Sequence, residues 1–182
     1  MAQERLGQTP SQTVGPYFAY GLTGTRFNLS QPVGAEMFPR DAAGQHMRLF
    51  GRVLDGEGKP IPDAMIEAWQ ADSAGHFGNA LSGFGRAEAD VDGRFSFATV
   101  RPGSIGAPHA PHVGLIVMMR GLLTHLFTRV YFPEDSLLHG TDPVLSSVPA
   151  ARRATLIAAK EADGYRFDIR MQGDGETVFL EF

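Results

Sequence analysis

Apolar and polar residues alternate with a period of two along most of this chain, and glycine and proline punctuate the runs. A strand is predicted over residues 47–55, closed by the turn sequence Asp55-Gly56-Glu57-Gly58-Lys59-Pro60, and a second over 64–70. Residues 86–90 and 94–100 flank Asp90-Val91-Asp92-Gly93 and are expected to pair as a hairpin with Phe95 and Phe97 on one face. Further strands are predicted at 112–120 and 124–132. In the latter, Leu126, Thr128, Val130 and Phe132 make the core face, while His125, Phe127, Arg129 and Tyr131 make a mixed one. Tyr165, Phe167, Ile169 and Met171 alternate with Arg166, Asp168 and Arg170 in another strand, and residues 177–182 supply the last. Only 149–160 reads as partly helical, with Pro149 suited to a first helical turn. Short strands with turn signals between them predict a mainly β fold, a two-sheet β-sandwich with one short helical segment.

Two stretches depart from this alternation. Residues 9–18, T-P-S-Q-T-V-G-P-Y-F, predict an extended arm, because Pro10, Gly15 and Pro16 restrict or interrupt ladder pairing. The expected organisation is an arm over residues 1–20 and a single sandwich domain over 21–182. Residues 75–85, G-H-F-G-N-A-L-S-G-F-G, are too rich in glycine for a regular element and long enough for a functional loop or a solvated crossover.

A chain of 182 residues and 19.7 kDa suits one domain with a sizeable core. Its net charge of -4 provides no basic field, which argues against nucleic acid as a partner. Cysteine is absent, which excludes a disulfide framework, a thiolate nucleophile and a zinc-thiolate cluster, and suits the cytoplasm. The first 12 residues are polar, and no stretch approaches the roughly 18 apolar residues of a membrane span. The glycine-rich loop has no lysine and no following helix start, so it is not a phosphate loop. Ser11 and Ser104 have no His/Asp relay, and Glu67 and Asp72 flank Trp69 without a second carboxylate at acid/base spacing. His46, His76 and His139 fall in loop-like contexts and are expected to be solvated.

Chemistry concentrates in residues 102–114, P-G-S-I-G-A-P-H-A-P-H-V-G. His112 stands where loop becomes strand, a usual mounting for ligands, and Gly114 occupies the next position on the same face. One imidazole and one glycine do not hold a metal ion.

The arm T-P-S-Q-T-V-G-P-Y, the run Glu67-Ala68-Trp69-Gln70-Ala71-Asp72, the turn Asp92-Gly93-Arg94-Phe95, the Pro102-Gly103 turn, Ala110-Pro111-His112, Thr128-Arg129-Val130-Tyr131-Phe132 and the tail from Tyr165 to Phe182 follow one another in an order that resembles the intradiol ring-cleaving dioxygenases over nearly the whole chain. The resemblance implies an intradiol dioxygenase-like sandwich. Active chains of that family hold non-haem ferric iron with two tyrosines and two histidines, hard phenolates matched to a trivalent ion. On the family pattern, Phe77 stands at the first tyrosine position, Ile105 at the second, and His112 and Gly114 at the histidine pair, while His109 replaces an arginine. The resemblance therefore implies a chain that binds no metal and is inactive alone. It places Fe(III) on a partner chain of the same family, in a larger hetero-oligomer that acts on a carboxylated catechol and dioxygen. Thr13, Pro16, Tyr17 and Arg129 would then line the wall of the substrate cleft. Two other readings stay open: a self-sufficient dioxygenase using Tyr17, Tyr20, Tyr131 or Tyr165, and an immunoglobulin-like or transthyretin-like binding module with no enzymatic role.

Overall fold

A computed structural model describes residues 15, 18–31, 33–78 and 82–181. Nine strands are present among them: β1 (His46–Leu54), β2 (Met65–Trp69), β3 (Phe84–Glu88), β4 (Arg94–Val100), β5 (His112–Met118), β6 (Leu126–Tyr131), β7 (Ala159–Glu161), β8 (Gly164–Arg166) and β9 (Ile169–Arg170). They form two sheets, one in the order β4-β1-β8-β7 with β9 also on β1, the other in the order β3-β2-β5-β6. The expected two-sheet, mainly β architecture is what the chain adopts.

The alternation read from the sequence decides which side chains enter the core. In β5, Val113, Leu115 and Val117 are buried and pack with Ile66 and Ala68 of β2, Val130 of β6, Leu49 and Val53 of β1 and Phe95 and Phe97 of β4. The two phenylalanines share a face as expected, with ring centroids 6.1 Å apart in an edge arrangement. Burying a side chain of this size contributes roughly 1.5–3 kcal/mol each, so the intersheet layer supplies most of the driving force for the fold.

Three turns use one chemical device. Asp55, Asp72 and Asp90 each accept, through Oδ1, the backbone N–H groups two and four residues onward at 2.9 Å. A glycine three residues after each aspartate, Gly58, Gly75 or Gly93, takes the positive φ that closes the turn. The hairpin expected around Asp90 is corrected in one respect. The turn forms, but β3 pairs with β2 and β4 pairs with β1, so it carries the chain from one sheet to the other. Both strands bury alternate residues toward the same intersheet core, and a crossing at this corner serves that burial from both sides.

The tail differs more. The run from Tyr165 to Met171 is split, because Phe167 and Asp168 leave the ladder between β8 and β9. At the break, the Phe167 carbonyl lies over Gly51, where a Cβ would come within 1.8 Å of its oxygen, and Asp168 Oδ1 accepts Arg52 N–H at 3.1 Å in place of a ladder bond. Residues 177–182, expected as a strand, supply within the described residues only an isolated bridge between Leu180 and Phe127. The segment expected to be partly helical is a 3-10 helix, Ala150–Leu156, followed by β7. Helices α1 (Phe18–Leu22), α2 (Ser136–His139) and α3 (Pro143–Ser147) were not expected. Most of the expected arm, including Thr13, Pro16 and Tyr17, lies outside the described residues; where the chain emerges, α1 replaces extended structure at residues 18–20.

Candidate functional site

Strand pairing assembles the site on the outer face of the four-stranded sheet. Register places Phe84 of β3 opposite Trp69 of β2, Trp69 opposite Gly114 of β5, and Gly114 opposite Arg129 of β6. These four residues form one row across the sheet, and the missing side chain at Gly114 opens a gap between an indole and a guanidinium. A Cβ there would meet only the Trp69 carbonyl oxygen, at 3.5 Å, an ordinary contact. The backbone does not require glycine at this position, so its effect is to make room. The resulting pocket of about 310 Å³ is lined by Trp69, Phe77, Phe84, His112 and Arg129 among others.

Three of the four positions that the family pattern assigns to ligands, Phe77, His112 and Gly114, thus line one pocket. Ile105 does not; it sits half-exposed on the neighbouring loop. Trp69 and Phe77 are 45% and 51% exposed, with ring centroids 6.4 Å apart, and the Phe84 ring centroid lies 5.6 Å from that of Trp69. Phe77 and Phe84 both belong to the glycine-rich stretch, which therefore furnishes walls of the pocket. In the adjacent row, Glu67 and Arg86 face each other across β2 and β3 and form a largely buried ion pair, Arg86 Nε donating to Glu67 Oε1 at 2.9 Å. That pairing leaves Glu67 committed to Arg86 and unsuited to acid/base work.

The polar side of the pocket rests on Asp142, which is fully buried at the N-terminus of α3. Its Oδ1 accepts from Val144 N–H (3.0 Å), Leu145 N–H (2.9 Å) and the Tyr131 hydroxyl (2.9 Å), and its Oδ2 accepts Ala110 N–H at 3.0 Å. Burial opposes ionisation of this carboxyl, but the hydrogen bonds from Leu145, Tyr131 and Ala110 outweigh it and hold its pKa below the usual carboxylate range. Tyr131 shares the Arg129 face of β6 yet is itself fully buried, in a second cluster with Ala110, Leu145, Val148 and Leu156. Burial pushes its phenol far above the ordinary range, with the nearby positive charge of Arg129 pulling the other way.

His112 is anchored by Nδ1, which lies 2.8 Å from the Ala110 carbonyl oxygen. A carbonyl only accepts, so Nδ1 carries the hydrogen. Burial lowers the His112 pKa, partly offset by the Ala110 bond, and the Arg129 charge lowers it further. The ring is therefore neutral near pH 7, with a lone pair on Nε2. His109 Nδ1 is 3.9 Å from Asp142 Oδ2, too far to bond, and is without a hydrogen-bond partner among the described residues. Arg129 Nη1 is likewise buried without a partner there, which leaves a guanidinium N–H beside the aromatic walls.

This donor set does not fit ferric iron. Phe77 has no oxygen, Gly114 has no side chain, and His112 offers a single nitrogen; among the described residues no group of three or more His, Asp or Glu side chains could hold a metal ion. Tyr131 cannot substitute, because its hydroxyl donates to Asp142 and its phenolate is disfavoured. Among the described residues no helix is long and apolar enough to cross a membrane.

A family model described as "Dioxygenase" matches residues 14–173. This chain belongs to the intradiol dioxygenase family. The "Protocatechuate 3,4-dioxygenase alpha chain" of Burkholderia cepacia is 47% identical, covering 97% of this chain and 98% of the relative, and that of Pseudomonas putida is 40% identical over the full length of both. Identity to the B. cepacia "Protocatechuate 3,4-dioxygenase beta chain" is 31%, over 74% of this chain and 67% of the relative. The dioxygenase domain of a carbohydrate-binding fusion protein from Streptomyces sp. SirexAA-E shares the fold, with a TM-score of 0.62 at 21% identity, covering 92% of this chain and 99% of that one. The intradiol fold thus carries here a pocket with aromatic walls, one arginine and a single imidazole donor. Trp69 and Phe84 line that pocket, and buried Asp142 holds Ala110, whose carbonyl orients His112, roles that were not expected from the sequence. An Asp-Pro step is a helix-start signal and could have flagged Asp142 as a cap, but nothing local points to Tyr131 above it.

Proposed function

We propose that this chain is the non-catalytic α subunit of a protocatechuate 3,4-dioxygenase, forming one wall of a substrate cleft beside an iron-bearing β subunit in a cytoplasmic hetero-oligomer. The complex cleaves protocatechuate between its two hydroxylated carbons and adds both atoms of O2, giving 3-carboxy-cis,cis-muconate. Fe(III) belongs to the β subunit. The observation that carries the reading is the pocket itself, which keeps Arg129 and the aromatic walls but one donor, His112, among Phe77, His112 and Gly114. Greater identity to two α chains than to a β chain supports it. Large apolar side chains exposed at the pocket rim, Trp69 and Phe77, are what a surface covered by a partner carries.

On this reading Arg129 supplies a fixed fork of donors suited to a carboxylate. Thr13, Pro16 and Tyr17 complete the wall from the arm, with Pro16 fixing its path and Tyr17 offering a ring face and a hydroxyl. The test is co-expression with a β chain followed by metal analysis: iron is expected near one atom per α/β pair, because this chain's donors cannot ligate. A value close to two per pair overturns the reading. A second prediction concerns the arm. Deleting residues 1–17 is expected to weaken assembly or raise KM with iron still bound, and unchanged assembly and kinetics would remove the arm from the cleft.

A further inference from the structure

We infer that Gly114 is a specificity-determining residue: its missing side chain makes the slot that admits the carboxylate-bearing edge of an aromatic acid, and so sets how long an acidic arm the complex accepts. The inference rests on the reading of this pocket as a wall of the substrate cleft, and it gives this chain a share in substrate choice.

Glycine inside a strand is unfavourable, because it leaves the unfolded chain more freedom and offers no side chain to pack. The other strand glycines here have no alternative. A Cβ on Gly51 would run into the Phe167 carbonyl, one on Gly164 into the Arg48 carbonyl, and one on Gly85 would stand 2.6 Å from the Met37 side chain. Gly114 has no such constraint. Its φ lies outside the left-handed region, and a Cβ would have a single neighbour within 4 Å, the Trp69 carbonyl oxygen at 3.5 Å. Neither backbone conformation nor packing within this chain accounts for the glycine. What a side chain would remove is the open space in front of it.

That space has four sides. Across the sheet, register sets Trp69 on one neighbouring strand and Arg129 on the other, two interstrand spacings or about 10 Å apart at their Cα atoms. Along β5, His112 and Ile116 stand on the same face two residues before and two after. All four line the pocket. The indole and the isoleucine offer contact to an apolar ring edge. Arg129 Nη1, buried without a partner among the described residues, is a donor suited to a carboxylate. The ligand these surfaces fit is a planar aromatic acid with its carboxylate toward Arg129. A methyl group on Gly114 would stand between the indole and the guanidinium and shorten the room for the arm that joins ring to carboxylate. A ligand with a longer arm therefore loses most.

The test is Gly114→Ala in the assembled α/β complex, probed with protocatechuate and with 3,4-dihydroxyphenylacetate, whose acidic arm is one methylene longer. The inhibition constant of the longer acid is expected to rise roughly tenfold more than the KM of protocatechuate, the lower end of what one methylene of space is worth in a pocket. The thermal midpoint is expected to rise by roughly 1–4 °C, since alanine fits this backbone and restricts the unfolded chain. Equal rises for the two acids, or no change in either, would overturn the role of Gly114. A lower midpoint with both acids weakened alike would overturn it as a packing defect, and weaker assembly with unchanged constants would show that the gap receives a partner side chain instead. The cleft reading survives all three if Arg129→Ala is impaired and iron stays near one atom per pair. Wild-type kinetics in Arg129→Ala would remove both.

Discussion

Replacement of Arg129 by alanine in the assembled complex is expected to lower kcat/KM for protocatechuate by roughly 10- to 100-fold, the equivalent of one charge-assisted hydrogen bond of about 1.5–3 kcal/mol. Arg129 stands at the end of the cross-strand row through Trp69 and Gly114, and its Nη1 is buried without a partner among the described residues. Exposed surface arginines gain little from a partner because water competes for them. A guanidinium N–H removed from water has more to gain, and a substrate carboxylate would satisfy it bidentately. Arg129→Lys is expected to recover only part of the loss, since an ammonium is a point charge without the planar fork. Iron content and the visible spectrum of the resting enzyme should match wild type in both variants, because the metal is assigned to the other chain. Steady-state kinetics with iron analysis on the same preparations separates the outcomes. Loss of iron together with activity would assign Arg129 a structural role at the subunit interface.

What the sequence disclosed and what it hid follow from the range of the interactions involved. Alternation is local, so the six strands from β1 to β6 and their core faces could be read directly, and Phe95 and Phe97 meet as expected. The turns could also be read, because an aspartate with a glycine three residues later closes its own loop. Pairing is not local. The Asp90 turn looks the same whether its flanking strands pair with each other or with different sheets, and only the shared core decides. The break between β8 and β9 depends on Gly51, more than a hundred residues earlier, admitting the Phe167 carbonyl. The site shows the same division. His112 and Gly114 were visible as a same-face pair, whereas the walls built by Trp69 and Phe84 required the register of four strands. Tyr131 was read on the mixed face of its strand, and it is buried because residues 133–156 fold over it with Leu145 and Leu156.

Asp142→Ala is expected to have the largest effect on stability, lowering the thermal midpoint of the complex by roughly 5–15 °C, as a loss of about 2–4 kcal/mol would. The carboxylate caps α3 through Val144 and Leu145, and removing an N-cap alone costs about 0.5–2 kcal/mol. Ala110 N–H and the Tyr131 hydroxyl would also be left buried without an acceptor, which is more costly than never having formed the bonds. Acid dependence gives a second handle. Burial works against the charged form, yet the bonds from Leu145, Tyr131 and Ala110 prevail, with neighbouring His112 also favouring the carboxylate, and the folded pKa lies below the ordinary value of 3.8. In the unfolded chain Asp142 therefore takes up a proton first as pH falls, so its contribution is fully present above that value and is lost as pH drops through the folded pKa. His109, His139 and Arg129 are other charged or titratable groups beside this network. Asp142→Asn, which cannot ionise, is expected to show a shallower loss of midpoint below pH 4 than wild type. Calorimetric scans across that range check both statements: a midpoint for Asp142→Ala within a degree or two of wild type, or parallel acid profiles for wild type and Asp142→Asn, would mean that the buried carboxylate organises the pocket without stabilising the fold.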